Sequence, residues 1–307
     1  MNRNSLIKHI ELHIHKAGSI NALAKRININ VGSLSTIMRG IYGANEEHML
    51  KKIAIALNYK DRDWKTVKTI TNYRVVENVL WDARQESMWF AISNPAGSGK
   101  TEALEDLFNE DSSGAIIFIQ AEEWTGRQFI MKLLEKTCGL EEKGYQTISN
   151  MIQKFTEYML ENAKYKPALI IDEADKLKPS ALRTLIPIYN QTEHRMGCVM
   201  SGTENLQKEI KKGVDYNKKG YDEIDSRLGR NFISLPGVSE REVNDICRAN
   251  GIKDEGMVSE IWFELEKREV EIETKKDGHI KYKKVALCQD LRRVMRVIKR
   301  SRIKTAA

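Results

Sequence analysis

The chain has 307 residues, 41% hydrophobic and 30% charged, a composition that can fill globular cores and argues against wholesale disorder. No run approaches the ~18 apolar residues of a membrane span, and the N-terminus lacks an apolar signal region, so we expect a cytoplasmic protein without a membrane partner. The net charge of +7 is uneven, because residues 1–70 carry +7 and residues 275–307 carry +10. Basic ends favour a polyanion such as nucleic acid or anionic lipid, the alternative being a solvated lysine-rich surface.

The first 64 residues predict a small helical module. Within it, residues 22–39 place apolar side chains at the core spacings of two short helices. Asn28 stands at the turn between them, where glycine is usual but asparagine is tolerated because it can adopt a left-handed backbone. The core positions are Leu23, Ile27, Ile29, Leu34 and Ile37. The pattern resembles the phage-repressor type of helix-turn-helix, in which Thr36 and Arg39 of the second helix would contact DNA, mainly its phosphates. The alternative is a helical bundle that docks protein.

After a predicted helix over residues 73–86, short apolar runs alternate with helical sequence. We predict strands at residues 88–93, 115–121, 168–172, 197–201 and 231–235. Such runs are typical of a five-stranded parallel sheet covered by helices on both faces, an α/β fold. After Pro236 the pattern is helical, except that alternation around Asp277-Gly278 predicts a hairpin. We therefore expect three domains, at residues 1–64, 65–236 and 237–307, the last a helical lid with a hairpin insert and a basic C-terminal helix.

The strongest motif follows the first predicted strand and opens a helix, as a phosphate loop requires. Its residues, with the next one, are the predicted nucleotide contacts: Asn94, Pro95, Ala96, Gly97, Ser98, Gly99, Lys100, Thr101 and Glu102. The glycines let backbone N–H groups close around phosphate oxygens, Lys100 can reach the β- and γ-phosphates, and the Thr101 hydroxyl can bind Mg²⁺. Asn94 stands where glycine is usual, and we expect it to be tolerated because asparagine can adopt left-handed backbone angles.

Polar residues also end the third and fourth predicted strands. Asp172 can hold the Mg²⁺ shell and Glu173 can orient and polarise an attacking water, which is the positioning that phosphoryl transfer needs. Alone, this pair could be a solvated strand end, but together with a phosphate loop it predicts a catalytic site. Ser201 and Thr203 could sense the γ-phosphate or hold the water, although Thr203 could equally be a simple cap of the next helix.

Three arginines are candidates for stabilising charge on the phosphates. Arg227 or Arg230, just before the fifth predicted strand, could reach a nucleotide on a neighbouring subunit. The alternative is a surface arginine paired with Asp222 or Asp225. Arg292, at the start of the last helix, could fold back onto the phosphates, or it could be one more member of the basic C-terminal helix.

These five elements, in this order, resemble those of the AAA+ ATPases. Walker A matches residues 94–101, Walker B residues 169–173, sensor 1 Thr203 or Ser201, the arginine finger Arg227 or Arg230, and sensor 2 Arg292. Within that superfamily the chain resembles the Mu B family of phage transposition proteins, in which an N-terminal helix-turn-helix also occurs. The segments that carry this resemblance are SNPAGSGKTEA, ALIIDEADKL, MSGTENL and SRLGRNFISL.

The resemblance implies an ATPase that uses ATP and Mg²⁺, assembles into helical filaments on duplex DNA and marks that DNA for a transposase, which in turn stimulates hydrolysis and disassembly. It implies an origin in a bacterium, a phage or a mobile element. In this family, loops of the ATPase domain supply the main DNA contacts. By this resemblance Thr125, Arg127 and Lys143 would contact the DNA backbone, with binding that is largely independent of sequence and weakens with salt.

Two other functions fit the same motifs. A helicase loader resembling the replication-initiation ATPases would share the nucleotide site but bind a replicative helicase. A sequence-specific repressor would bind one operator through its helix-turn-helix, with ATP in a structural role only. The intact Asp172-Glu173 pair argues against the repressor, because a structural nucleotide needs no residue to activate water.

Overall fold

A computed structural model describes residues 3–43, 45–57, 59, 64–138, 146–276 and 279–306. The N-terminal part contains four helices, α1 (Arg3–Ala17), α2 (Ile20–Arg26), α3 (Val31–Arg39) and α4 (Glu46–Ala56). They enclose an apolar core of their own, in which Leu6, Ile10, Leu34 and Ile53 are completely buried. The first part of the chain is therefore a small helical bundle, as predicted from its apolar spacing.

The turn between α2 and α3 has the predicted backbone. Asn28 adopts a left-handed conformation, with φ of 52°, and the Asn30 side chain caps α3 by accepting the N–H groups of Gly32 and Ser33. Leu23 and Ile37 are buried as expected, whereas Ile27 lies at the margin of the core. The assignment of α2 and α3 as a DNA-binding helix-turn-helix stays a prediction.

The predicted five-stranded parallel sheet is confirmed. Its strands are β1 (Trp89–Ser93), β2 (Ile116–Gln120), β3 (Ala168–Asp172), β4 (Gly197–Gly202) and β5 (Phe232–Ile233). They lie in the order β2-β3-β4-β1-β5, and every neighbouring pair is parallel. The edge strand β5 is very short, since its two residues pair only with Ala91 and Ile92 of β1.

Helices cover both faces of the sheet. One face packs against α7 (Gly126–Lys136), α8 (Ile148–Glu161), α9 (Pro179–Thr192), α10 (Glu204–Asp215) and α11 (Tyr221–Arg227). The other packs against α5 (Thr71–Glu86) and α6 (Lys100–Glu110). Successive residues of each strand alternate between the two cores, so that Leu169 and Ile171 of β3 lie in the first and Ile170 lies in the second. Two short 3₁₀ turns, Ala163–Tyr165 and Ala174–Lys176, flank β3.

The chain after β5 is called here the lid region, residues 237–306. It contains α12 (Glu240–Ala249), α13 (Glu255–Glu264), β6 (Arg268–Lys276), β7 (His279–Leu287) and α14 (Leu291–Ala306). The predicted hairpin is present, with β6 and β7 antiparallel and its two turn residues outside the described part of the chain. Apolar residues of α12, α13 and α14 share one core with α5 and the sheet. The three domain boundaries stay a prediction.

The N-terminal bundle docks on the sheet domain through two cations. The Lys16 ammonium of α1 donates to the carbonyl oxygen of Phe108 near the end of α6, and the Arg26 guanidinium of α2 donates to that of Lys136, the last residue of α7. Both contacts satisfy carbonyl groups at helix C-termini, where the helix dipole favours positive charge. The docking leaves α3 outside, since Val31 is 39% exposed and Arg39 is also exposed.

None of the described helices is both long and apolar enough to cross a lipid bilayer. The four cysteines carry free thiols, and Cys198, Cys247 and Cys288 are buried. Burial raises the pKa of these three thiols, which keeps them protonated and unreactive at neutral pH.

A histidine lies in the same docking interface. The His13 ring is 4.6 Å from the His9 ring and 6.3 Å from the Phe108 ring, and its Nε2 atom is buried without a hydrogen-bond partner. Burial lowers the pKa of His13 from 6.5 to about 3, helped by the positive charges of Lys16, Arg26 and Lys136 and by His9. A protonated His13 is therefore disfavoured in the docked state.

Acidification should lower the stability of the folded protein through His13. Because the pKa of His13 is lower in the folded protein than in the unfolded chain, its contribution is complete above about pH 6.5 and is lost as the pH falls toward 3. Between pH 6.5 and 5 the loss is at most about 2 kcal/mol. Thermal unfolding of the wild type and of His13→Leu over this range measures it. The wild type should lose stability faster on acidification, and parallel pH profiles would contradict the assignment.

Candidate nucleotide-binding site

The carboxyl ends of three neighbouring strands meet at one edge of the sheet. The phosphate loop follows β1, Asp172 ends β3, and Thr203 follows β4 directly. Because β1 pairs with β4 and β4 pairs with β3, these three segments lie side by side although they are far apart in the sequence. A cavity of about 330 Å³ opens at this edge, the usual position for a ligand in an open parallel sheet.

The phosphate loop is shaped by two glycines. Gly97 and Gly99 have φ of 89° and 90°, which L-residues with side chains rarely adopt. A Cβ atom at Gly97 would lie 2.3 Å from Oδ1 of Asp290, and one at Gly99 would lie 2.8 Å from Cδ1 of Leu291. Glycine is therefore required both by the backbone angles and by the lid region, which packs directly on the loop.

The explanation predicted for Asn94 is wrong. Its backbone is not left-handed, since Asn94 is absent from the residues with positive φ. Instead its side chain, 4% exposed, accepts the N–H of Leu235 at 2.9 Å and donates to the carbonyl oxygen of Leu235 at 3.3 Å. Asn94 thereby holds the chain that leaves β5 through a pair of buried hydrogen bonds, whose loss costs about 1–3 kcal/mol for each unsatisfied group.

Lys100 lies at the centre of the loop and is 8% exposed. Its ammonium donates to the carbonyl oxygens of Asn94 at 2.7 Å and Pro95 at 3.0 Å, and to the hydroxyl of Ser98 at 3.0 Å. Burial lowers the pKa of Lys100, partly offset by the carboxylates of Asp172 and Asp175. A buried ammonium held only by neutral oxygens is suited to exchange them for phosphate oxygens, which carry negative charge.

A hydroxyl and a carboxylate form the candidate metal site. Thr101 Oγ1 donates to Oδ2 of Asp172 at 2.7 Å, and Asp172 is 1% exposed. Burial raises the pKa of Asp172, while the Thr101 and Ser201 hydroxyls and the backbone N–H of Glu173 act to lower it. The Ser201 hydroxyl is buried and makes no hydrogen bond of normal geometry. These oxygen donors fit Mg²⁺, which is typically held by one or two protein ligands plus phosphates and water.

Glu173 lies at the rim of the cavity. Its backbone is left-handed, with φ of 54°, and begins the turn Ala174–Lys176. This turn brings Nζ of Lys176 to 2.6 Å from Oε2 of Glu173, and both residues line the cavity. The carboxylate that would activate water is therefore engaged by a cation through Oε2 in this structure.

Thr203 has the structural role that the sequence left open. It caps α10, accepting the N–H of Asn205 at 3.3 Å, and its hydroxyl donates to Oδ2 of Asp175 at 2.6 Å. It also lines the cavity, so that capping does not remove it from the site. Ser201 is fully buried and does not line the cavity. Its role as a sensor stays a prediction.

The three arginines occupy different places. Arg292 lines the cavity, and its backbone N–H donates to the carbonyl oxygen of Gly97 at 3.2 Å. Arg227 and Arg230 do not line it. The Arg227 guanidinium lies 4.6 Å from the centre of the Tyr189 ring and donates to Oδ1 of Asn190. Arg230 forms the surface ion pair weighed above, 2.9 Å from Asp222 and 3.5 Å from Asp225.

Sequence reasoning missed the apolar wall of the cavity. This wall is formed by Trp64, Val67, Ile70 and Tyr73 before and within α5, and by Ile246, Val294 and Met295 of the lid region. On its polar side, the Thr66 hydroxyl donates to Oε1 of Glu102 at 2.9 Å, which places the predicted Glu102 at the cavity. Within the phosphate loop, Ala96 to Thr101 line the cavity. No local motif marks the wall, because it joins segments more than 170 residues apart.

The candidate DNA contacts are mostly engaged in local structure. Thr125 caps α7 in a capping box with Gln128, and Arg127 donates to the carbonyl oxygen of Gln146 at 2.7 Å. Thr36 donates to backbone carbonyls of its own helix, while Arg39 is exposed. Lys143 lies outside the described residues. All five stay predictions as DNA contacts.

Comparisons with known proteins agree with the motifs. Residues 84–210 match the family described as AAA domain, a match that covers less than half of the chain. No curated protein sequence matches the chain. The order of the strands in the parallel sheet and this family match confirm the predicted AAA+ P-loop fold.

Two archaeal proteins are among the solved structures that are similar to the chain. Cdc6p from Pyrobaculum aerophilum is 14% identical with a TM-score of 0.43, over 58% of this chain and 48% of that one. The ORC2 protein of Aeropyrum pernix, solved in ADPNP-ADP complexes, is 13% identical with a TM-score of 0.39, over 58% of this chain and 49% of that one. The chain thus matches about half the length of each of these structures.

Replacing Thr101 tests the metal site. Thr101→Val removes the hydroxyl that pairs with Asp172, so it should weaken nucleotide binding at least about tenfold in the presence of Mg²⁺ and leave binding in EDTA unchanged. Thr66→Val is the matched control, since Thr66 lines the same cavity and bonds a different carboxylate. Titration with a fluorescent ATP analogue measures both. An equal loss with and without Mg²⁺ would contradict the role assigned to Thr101.

Proposed function

We propose that the protein is an ATPase that assembles with ATP on duplex DNA and delivers that DNA to a transposase, with hydrolysis driving disassembly. One observation carries the ATPase part of the proposal. A single cavity is lined by the buried ammonium of Lys100, the Thr101–Asp172 pair, Glu173 and Arg292. These are the groups that phosphoryl transfer needs to bind the phosphates, hold a divalent ion and position water.

The geometry supports the following roles. Lys100 exchanges its loop oxygens for the β- and γ-phosphates, and Arg292 adds positive charge from the lid region. Thr101 and Asp172 hold Mg²⁺, which when bound neutralises charge on the phosphates. Glu173, at the rim of the cavity, accepts a proton from the water whose oxygen attacks the γ-phosphorus as the bond to ADP breaks.

Self-association is supported by the two arginines that lie away from the cavity. Arg230 is 55% exposed at its side chain and ion-paired to Asp222, whereas Arg227 is packed on the Tyr189 ring. Neither lies in its own chain's cavity, so a neighbouring subunit's nucleotide is the target that would explain a catalytic role. Arg230 is the more accessible of the two and is our preferred candidate for the arginine finger.

The DNA and transposase parts of the proposal have separate grounds. The C-terminal helix α14 is basic. Its exposed side chains include Arg293 and Arg300, which pair with Glu264, and also Arg296 and Lys299. The transposase partner rests on the four resembling sequence segments alone. Co-purification with a replicative helicase instead would favour the helicase-loader alternative.

Removing the Lys100 ammonium should abolish nucleotide binding and therefore ATP-dependent assembly on DNA. Lys100→Ala takes away the buried charge at the centre of the phosphate loop, whereas Lys208→Ala removes an exposed lysine that pairs only with Glu204. Sedimentation with duplex DNA and a non-hydrolysable ATP analogue should detect assembly of the Lys208 variant and none of the Lys100 variant. Unchanged assembly by Lys100→Ala would refute the nucleotide site.

Replacing Glu173 should separate binding from hydrolysis. Glu173→Gln keeps the size of the side chain but cannot accept a proton, so turnover should fall by about 10²-fold or more while ATP and DNA affinities stay within a few-fold. Phosphate release and fluorescence titration measure the two properties on the same protein. Normal turnover in this variant would exclude Glu173 as the residue that activates water.

A further inference from the structure

Two buried asparagines connect the phosphate loop to the point where the chain leaves the sheet for the lid region. The hinge segment is defined here as residues 235–237. Asn94 makes two side-chain hydrogen bonds to the backbone of Leu235. Asn72 of α5, 2% exposed, donates to the carbonyl oxygen of Ser98 at 3.0 Å and accepts the N–H of Gly237 at 2.9 Å. Each asparagine therefore joins the loop or its first residue to the hinge segment.

The side chain of Asn94 forms hydrogen bonds at a position where the backbone pairing of β1 with β5 has ended. β5 ends at Ile233, which lies opposite Ile92 of β1, so Asn94 stands opposite Leu235 two residues further along both strands. Backbone pairing has ended there, and the Asn94 side chain supplies the hydrogen bonds in its place. A glycine, the usual residue at this position of the motif, has no side chain, so that among the described residues Asn72 would remain as the side chain hydrogen-bonded to the hinge segment.

Asn94 itself and Ser98, the residue to which Asn72 donates, both hold the Lys100 ammonium. The carbonyl oxygen of Asn94 accepts the Lys100 ammonium at 2.7 Å, and the hydroxyl of Ser98 accepts it at 3.0 Å. When Lys100 turns to the phosphates, Asn94 and Ser98 lose this partner together. The side chains of Asn94 and Asn72 then pass any shift of the loop to Leu235 and Gly237.

The hinge segment lies beside the part of the lid region that leads into α14. Gly237 has φ of 103°, and a Cβ atom there would lie 2.8 Å from the carbonyl oxygen of Cys288. The next residue, Val238, exchanges two backbone hydrogen bonds of 2.8 Å with Cys288. Four residues after Cys288, Arg292 reaches the cavity. The start of the lid region and the segment that leads into α14 are thus hydrogen-bonded to each other beside the hinge segment.

We propose that Asn94 and Asn72 are positioning residues that couple occupancy of the phosphate loop to the position of the lid region. The usual glycine is absent because Asn94 carries this coupling. The proposal rests on the proposed nucleotide site, but it requires neither DNA nor a transposase. Coupling of this kind between two sites is commonly worth a 5- to 150-fold change in an equilibrium.

Hydrogen exchange on the full chain tests the coupling. Backbone amides of residues 235–240 and 287–292 are followed with and without a non-hydrolysable ATP analogue, and the affinity for the analogue is measured separately. In the wild type, nucleotide should slow this exchange about tenfold or more. Each variant is compared at analogue concentrations that saturate it, as its own measured affinity defines them. Under these conditions Asn94→Gly, which restores the usual residue, and Asn72→Ala should lose most of the slowing.

Asn162→Ala is the matched control. Asn162 also donates a side-chain hydrogen bond to a backbone carbonyl, that of Tyr158 at 2.8 Å, but it lies at the end of α8, away from the cavity. This variant should respond to nucleotide like the wild type. Full slowing in both Asn94→Gly and Asn72→Ala would overturn the proposal, as would slowing lost equally in Asn162→Ala. A wild type that binds no nucleotide would refute the nucleotide site itself, which the affinity measurement shows independently.

Discussion

The parallel register of β1, β4 and β3 is the constraint on which the rest of the molecule depends. It fixes Ser93 opposite Gly202 and Ile171 opposite Met200, so that the loop after β1, the acid at the end of β3 and the threonine after β4 open onto one cavity. A shift of one residue in β3 would turn Asp172 to the other face and separate it from Thr101. The hydrogen bond between those two side chains is therefore a sensitive sign of correct register.

Electrostatics prepare this edge of the sheet for an anion and a cation together. Burial lowers the pKa of Lys100 and raises that of Asp172, so each charge is held at a cost in the absence of ligand. A triphosphate beside Lys100 and a divalent ion beside Asp172 would each place an opposite charge next to the buried group and so stabilise its charged form. The same edge is closed by the lid region, whose α14 begins against Gly97 and Gly99. The phosphate loop, which would bind the ligand, is thus in direct contact with the lid region.

Much of the fold and the centre of the site could be predicted from sequence, because the signals are local. Apolar runs marked all five strands, and the spacing of Lys100 and Thr101 after a strand marked the phosphate loop. What failed was the reason given for Asn94, since its partner Leu235 lies 141 positions away and no local pattern announces the contact. The apolar wall from Trp64 to Tyr73 and the docking cations Lys16 and Arg26 escaped for the same reason. The roles of Thr125 and Thr203 are hard to predict for a different reason. Threonine is a common residue both at helix N-caps and in ligand contacts, so the sequence does not tell these roles apart.

Electron microscopy of the protein with duplex DNA, with and without a non-hydrolysable ATP analogue, tests the central claim most directly. We expect ordered oligomers on DNA only when the analogue is present, with density for a triphosphate between Lys100 and Arg292 and with Arg230 of one subunit near the nucleotide of the next. Identical images with and without the analogue, or a monomer at saturating nucleotide and DNA, would contradict the account.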